Sequence, residues 1–399
     1  MPGVESGPIG DGRSPLLEKL ASSRKCDNIV CFIHSDRMLR AGPNQTPLFN
    51  LAADSARPLI NHLQSIGRSK KLGLFLYSRG GDVSVPWVLA NIIRKYCDHF
   101  EIIIPYRAHS AATLLALGAD TIVLGRHAEL GPIDPTMTIQ EITGGGDEPQ
   151  KARATTIAVE DITSFINLVK EGVGITNQKE LAQAFDRLSE KVGPVILGTI
   201  NRQQSYIRMV ASKLLQSRKS PPDAGTVERI VEGLIKRAFF HQHAISRDEA
   251  RKDFGFDNIE KIDDELEDLI WKLFESYEEE LGIGATTKAE DVLKPDGPDE
   301  ATVQGIIGVV IDSSSLRSQF SGDLVVTRTR RPLPAVNLNL NLALPQMAPG
   351  AQIDPNVMRQ MQMLIQRVVQ DELKRQSGVL GFSIGWRQDG WRTEPRPNH

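Results

Sequence analysis

Apolar residues arrive in short bursts along the first 260 or so positions of the chain. Asn28–His34 (NIVCFIH), Leu72–Tyr77 (LGLFLY), Glu101–Pro105 (EIIIP) and Thr121–Leu124 (TIVL) are compact runs, the second ended by Arg79-Gly80-Gly81. Runs this short, with no polar alternation, predict strands covered on both faces. Between them the spacing becomes helical: Pro86 fits the first turn of a helix over Trp87–Tyr96, and Ser110–Leu117 opens another. Strand, glycine turn, helix, strand, helix, strand predicts a repeating α/β unit. After a polar loop holding Gly144-Gly145-Gly146, helical spacing returns over 159–172, 177–191, 195–216 and 225–237. Ser246 with Glu249 three residues on predicts a capped short helix, and Gly255 its end.

Past residue 282 the pattern changes. Residues 282–304 are rich in Gly, Pro, Asp and Thr, as linkers are. Residues 305–345 read as β, with strict alternation from Asn337 to Leu342, and Asp354-Pro355 opens a helix running to Gln376. Asp389-Gly390, between Trp386 and Trp391, predicts a final hairpin. The expected division is a disordered N-terminus over 1–20, an α/β unit over 21–281, a linker over 282–304, and a C-terminal β-plus-helix appendage over 305–399.

Charge narrows the class of partner. Lys plus Arg number 47 against 50 Asp plus Glu, a formal net charge of -3, which excludes strong global attraction to nucleic acid or anionic lipid. Aromatic residues, at 6%, offer no stacking platform for single strands. Cys26, Cys31 and Cys97 are odd in number and scattered, so neither a disulfide framework nor a zinc ribbon is expected. His241 and His243 would face one way on a strand, but no further ligand accompanies them, so no metal is expected. No basic start with an apolar run marks a signal peptide, and no run reaches the ~18 apolar residues of a spanning helix. A cytoplasmic protein without membrane insertion is expected. No phosphate-binding GxxxxGK[ST] is present, so any ATP dependence would come from a partner, and no cofactor is expected.

Chemistry is expected at two turns. Ser78-Arg79-Gly80-Gly81-Asp82 directly follows a buried strand, and paired glycines can present bare N–H groups as an oxyanion hole does; a plain tight turn is the alternative. Ala108-His109-Ser110-Ala111-Ala112 places a serine at a helix start among small residues, where the helix dipole favours a developing anion; a capping serine is the alternative. One helix and one strand separate the turns, so adjacent parallel strands could bring them to one end of a sheet. A nucleophile at Ser110, with oxyanion donors at Gly81 and the Ala111 N–H, would then suit acyl transfer.

YSRGGDV, AHSAATLLALGADTIVLG and HAELGPIDP together resemble the SDH-type serine proteinases (serine dehydrogenase proteinases), relatives of the signal peptide peptidase A family within the ClpP/crotonase fold. AFFHQHAISRDEARKDFGF resembles the closing element of that fold, so the resemblance covers residues 28–258. It implies a ClpP/crotonase-like repeated ββα core with helical additions, and Ser110 as nucleophile with Gly81 and Ala111 as oxyanion donors. ClpP places a histidine base shortly after the nucleophile, whereas GPIDP holds none. Signal peptide peptidase relatives use a downstream lysine, and Lys151, after the glycine loop, is the position implied here for a Ser-Lys dyad. The alternative for Lys151 is a solvated loop lysine beside Asp147 and Glu148. Gly80, His109, His127 and Asp134 are possible accessories, His127 and Asp134 having packing and turn roles as alternatives.

The implied function is peptide-bond hydrolysis on peptides or unfolded proteins by a homo-oligomer. A crotonase-type acyl-CoA enzyme and a non-catalytic scaffold of the same fold are the alternatives. Arg328, Arg330 and Arg331 read as a solvated strand face, and Met358, Met361, Leu364, Ile365 and Val368 as helical core or oligomer contact.

Overall fold

The computed structural model describes residues 12–41, 44–47, 49–133, 136–143, 151–237, 243–295, 297–331 and 354–396. Eight strands form its main sheet: β1 (Asn28–His34), β2 (Ser69–Tyr77), β3 (Cys97–Ile104), β4 (Thr121–Leu124), β5 (Ile259–Glu260), β6 (Glu300–Asp312), β7 (Leu316–Arg330) and β8 (Val379–Pro395). Their spatial order is β5-β4-β3-β2-β1-β6-β7-β8. The first five are mutually parallel; β6 joins β1 antiparallel, and β7 and β8 continue antiparallel.

Register explains why the early strands are uniformly apolar. Val30 lies opposite Leu74, Leu74 opposite Ile102, and Ile102 opposite Ile122. This row packs under helices α2 (Ala56–Ile66), α3 (Val85–Arg94) and α4 (Ala111–Leu117), all helices that follow strands. The next row, Cys31, Phe75, Ile103 and Val123, faces the opposite layer, made by α1 (Arg13–Arg24) and α5 (Asp264–Leu281). Both faces are dry, so alternation has no use there. Each side chain so buried contributes about 1.5–3 kcal/mol. After the main strands the chain adds short ones, Arg107–Ala108 and Glu129–Leu130, which pair in parallel, and the second also pairs with Ile245–Ser246, making a small second sheet. Strand, short strand, helix therefore repeats, as the ββα expectation holds.

The helical spacing after residue 158 gives Val159–Asn167, Gln178–Val192, Pro194–Gln216 and Ala224–Glu232. Ser246 accepts the Glu249 N–H as a cap, and Gly255 ends that turn at φ +83°. Asp354 caps α6 (Pro355–Gln376) by accepting the Asn356 N–H. Among the described residues no helix is long and apolar enough to cross a membrane.

The structure corrects several expectations. Within 1–20, residues from Arg13 onward are helical: Leu17 and Leu20 pack on α5, and Arg13 Nη1 lies 2.7 Å from Glu280. Arg24 further ties α1 to the sheet through Glu101, a fully buried carboxylate that also meets Lys71 Nζ at 2.8 Å, and a charge so buried needs such partners. The stretch 282–304 holds a short strand, Thr286–Lys288, paired with Met38–Arg40, then helix Ala289–Val292 and the start of β6. Since β6 borders β1, residue 305 falls at no break in the sheet.

No hairpin forms at Asp389-Gly390. β8 runs straight through, Ser321 opposing Gly390 and Gly322 opposing Gln388, so Asp389 is the extra residue of a bulge and Gly390 takes φ +90°. The 15-residue β7 offers a partner along nearly the whole of β8, which outweighs the local turn signal. Arg328, read as solvated, is buried, donating to the carbonyls of Leu293, Lys294 and Pro295. The Met358, Leu364 and Val368 stripe of α6 is exposed, so it is not core within this chain. The alternation over 337–342, the Gly144–Gly146 loop, His241 and Asp134 lie outside the described residues.

Candidate active site

The two glycine- and serine-bearing turns meet. Ser78 N donates to Arg107 O at 3.0 Å, and His109 N donates to Ser78 O at 3.0 Å, a parallel bridge that lays residues 78–81 alongside 107–111. Gly80, at φ +99°, has no room for a side chain: a Cβ there would stand 2.6 Å from His109 O, 2.9 Å from Ser110 Cβ and 3.1 Å from Ala111 N. At Gly81, φ +154°, a Cβ would strike the Leu51 backbone. Leu51 N donates to Gly80 O at 2.7 Å and Asp82 N to Leu51 O at 2.9 Å, so the turn is held from its other side too. Both glycines are thus required by close backbone approach, Gly80 to the turn of Ser110 and Ala111 and Gly81 to Leu51.

Ser110 sits at the head of α4 with φ 51° and ψ -115°, a conformation L-residues avoid, and its side chain makes no capping bond. Among the described residues only Lys25 shares a positive φ without being glycine. Such strain costs on the order of 1–3 kcal/mol and persists only where the surroundings enforce it. The plain capping alternative therefore fails. Ser110 is half-buried, and its hydroxyl has no hydrogen-bond partner among the described residues. Neither the Gly81 nor the Ala111 N–H donates to another described residue, whereas Gly80 N donates to Ser78 Oγ at 3.1 Å. Behind Ser110, buried Thr113 Oγ1 lies 2.6 Å from Ala108 O and 2.8 Å from Gly131 O, fixing the turn of GPIDP against α4.

A charged network flanks this turn, and sequence reasoning missed its carboxylates. His109 Nε2 lies 3.0 Å from Glu129 Oε1, which also receives Arg107 Nε at 2.9 Å. Buried Asp36 receives Tyr77 Oη at 2.7 Å and Arg79 Nε at 3.0 Å, with Arg107 Nη1 at 3.5 Å. Burial raises the Asp36 pKa, but the Gly284 N–H, the Tyr77 hydroxyl and Arg79 outweigh it and hold the carboxyl below its usual range. Burial lowers His109, Arg79 and Arg107 push the same way, and Glu129 opposes them without prevailing. A neutral His109 donating Nε2–H to Glu129 leaves Nδ1 as a free base. The signal for Glu129 was available, since it stands in the HAELGPIDP element.

The other candidates separate. Lys151 is the first residue of strand Lys151–Ala158, opposite Thr143 of Thr136–Thr143 in a hairpin. His127 is exposed and rests edge-on against Trp271 at 4.9 Å, in line with its packing alternative. His243 pairs with Glu249 at 2.7 Å, and no group of metal-ligating side chains occurs among the described residues. Burial pushes the thiols of Cys26, Cys31 and Cys97 up to about 12, so none is a ready nucleophile.

Residues 10–184 match the family model described as ClpP-like SDH-type serine proteinase, a span that holds both turns, Glu129 and Lys151. Two uncharacterized proteins of Methanocaldococcus jannaschii are similar to the chain. One is 24% identical over 188 residues, 43% of this chain and 64% of the relative, and the other 24% identical over 85 residues, 21% and 29% respectively. The matched part thus spans less than two thirds of either relative's length. Among solved structures, the ClpP protease catalytic domain from Plasmodium falciparum aligns at 10% identity and a TM-score of 0.29, covering 64% of this chain and 95% of that one.

Proposed function

We propose, from the premise that residues 10–184 fall within the ClpP-like SDH-type serine proteinases, that the chain is a serine peptidase with Ser110 as nucleophile. The observation that carries the reading is the strained Ser110 backbone, held against Gly80 beside two undirected amides. Ser110 Oγ adds to the peptide carbonyl carbon as a base removes its proton. The Gly81 and Ala111 N–H groups bind the oxyanion that forms. The C–N bond then breaks, the amine leaves with the proton, and water repeats the sequence on the acyl-enzyme.

Lys151 is the base in the Ser-Lys reading. The His109–Glu129 pair supports a second: a neutral imidazole oriented by a carboxylate is the arrangement a general base uses. Exposed apolar residues, among them Phe185 and Val195 in the 159–216 helices and Met363 and Leu364 in α6, are the surface a homo-oligomer would cover.

Intact-mass spectrometry after fluorophosphonate treatment tests the reading. Wild type gains one adduct and Ser110→Ala none. Loss in Lys151→Ala with retention in His109→Gln names the lysine, and the reverse names the histidine. An unlabelled wild type, or an adduct that survives Ser110→Ala, removes the Ser110 peptidase reading.

A further inference from the structure

A cavity of about 270 Å³ lies beside the glycine turn and takes no part in the chemistry above. Asn50 and Ala52 line it, the two neighbours of Leu51, whose backbone holds Gly80 and Asp82. Its walls are aromatic: Phe49 meets Trp386 edge-on at 5.1 Å, and Phe320 tilts against Trp391 at 5.6 Å. At its base is His34, the last residue of β1, 1% exposed.

Two histidines are fully buried in this region, and they differ. His62 has both ring nitrogens satisfied, by Ser313 Oγ at 2.8 Å and Ser318 Oγ at 3.0 Å. Neither ring nitrogen of His34 makes a hydrogen bond of normal geometry among the described residues. Burial draws its pKa to about 4, against the opposing effect of a long, poorly aligned approach to the Tyr77 backbone. At pH 7 its imidazole is therefore neutral, with one donor and one acceptor nitrogen in an interior where such atoms are nearly always paired. Asp54, at the rim, accepts the Trp391 indole N–H at 3.1 Å and disfavours an anionic guest.

We infer that this cavity binds a single neutral phenolic ring, which packs among Phe49, Phe320 and Trp386 while its hydroxyl pairs with His34. The volume suits one ring and falls below what drug-sized ligands occupy. A phenol hydroxyl both donates and accepts, so it matches either nitrogen of a neutral imidazole. The site stands apart from the peptidase reading, because its occupancy requires no chemistry at Ser110.

Ligand-observed saturation-transfer NMR on the full Ser110→Ala chain, with p-cresol and toluene as probes, tests the inference at pH 7. p-Cresol binds saturably and toluene about tenfold more weakly, the factor for one neutral hydrogen bond. His34→Leu abolishes the preference, and Trp391→Ala at the half-buried rim weakens both probes. Absence of saturable p-cresol binding, or equal binding of the two probes to the His34 protein, overturns the inference without recourse to any variant. Displacement of p-cresol by N-acetyltyrosinamide assigns the site to rings borne on peptides, and its failure assigns it to free phenols.

Discussion

The parallel and antiparallel halves of the main sheet are built on different rules. In β1 to β4 both faces are covered and every strand runs the same way, so successive turns emerge at one end. That shared end is where Gly80, Gly81 and Ser110 meet. In β6 to β8 the strands reverse, and β7 alternates, burying Gly322, Leu324, Val326 and Arg328 on one face. Reversal scatters the turns to opposite ends, so the ribbon can build walls, such as Phe320, Trp386 and Trp391, without gathering backbone amides. The parallel half makes chemistry possible, and the antiparallel half shapes the surface beside it.

That contrast can be broken most sharply at Gly80. Gly80→Ala sets a methyl against His109 O and Ser110 Cβ at positive φ, and the turn must shift. Fluorophosphonate labelling at Ser110 should fall at least about a hundredfold, as for loss of an oxyanion donor. Stability should fall by roughly 2–3 kcal/mol in urea titration. Unchanged labelling would show that the turn does not order the site.

Arg328 tests the other half. Arg328→Met leaves the carbonyls of Leu293, Lys294 and Pro295 without their donor, and should cost about 2–3 kcal/mol by the same titration. Labelling at Ser110 should stay within a factor of two or so if the halves are energetically separate. A parallel loss of labelling would instead make the ribbon part of the site.

Acid should act on the seam between the halves. His34 and His62 have folded pKa values of about 4, set chiefly by burial, against an ordinary 6.5. The unfolded chain therefore takes up their protons first, so their contribution is complete above pH 6.5 and is lost as pH falls toward 4. Each is worth up to about 3 kcal/mol over that window. Urea midpoints measured from pH 7 to pH 4.5 should fall steadily, and His62→Gln should flatten part of the slope. The depressed carboxyls of Asp36 and Asp120 act in the same direction but at lower pH. A flat profile down to pH 4.5 would mean that the imidazoles are reached by water.

Gly390 offers the mildest probe. Gly390→Ala forces a side chain into φ +90° within the β8 bulge, with no atom close enough to clash. It should cost about 1 kcal/mol, read as a few degrees of melting temperature, and leave labelling untouched.

Local signals sufficed wherever one segment settles its own structure. Runs such as LGLFLY state their strands because both faces are dry, Ser246 and Asp354 state their caps, and paired glycines after a strand state a tight turn. The order of strand, turn, helix and strand also brings the turn of Gly80 and the turn of Ser110 to one end of the sheet. Partners distant in sequence decided the rest. Asp389-Gly390 carries a hairpin signal, yet β7 supplies a ladder that makes it a bulge. Arg328 alternates like a solvated residue, yet three carbonyls some thirty residues away bury it. Glu129 becomes a partner of His109 only because two short strands, Arg107–Ala108 and Glu129–Leu130, pair in parallel. His34 reads as one more residue of an apolar strand, and only packing by Phe49 and β6 to β8 leaves its nitrogens buried and unpaired. Sequence determined the backbone conformations whose energy is local. Tertiary structure decided which polar atoms meet, because that depends on contacts between residues whose separation along the chain carries no pattern.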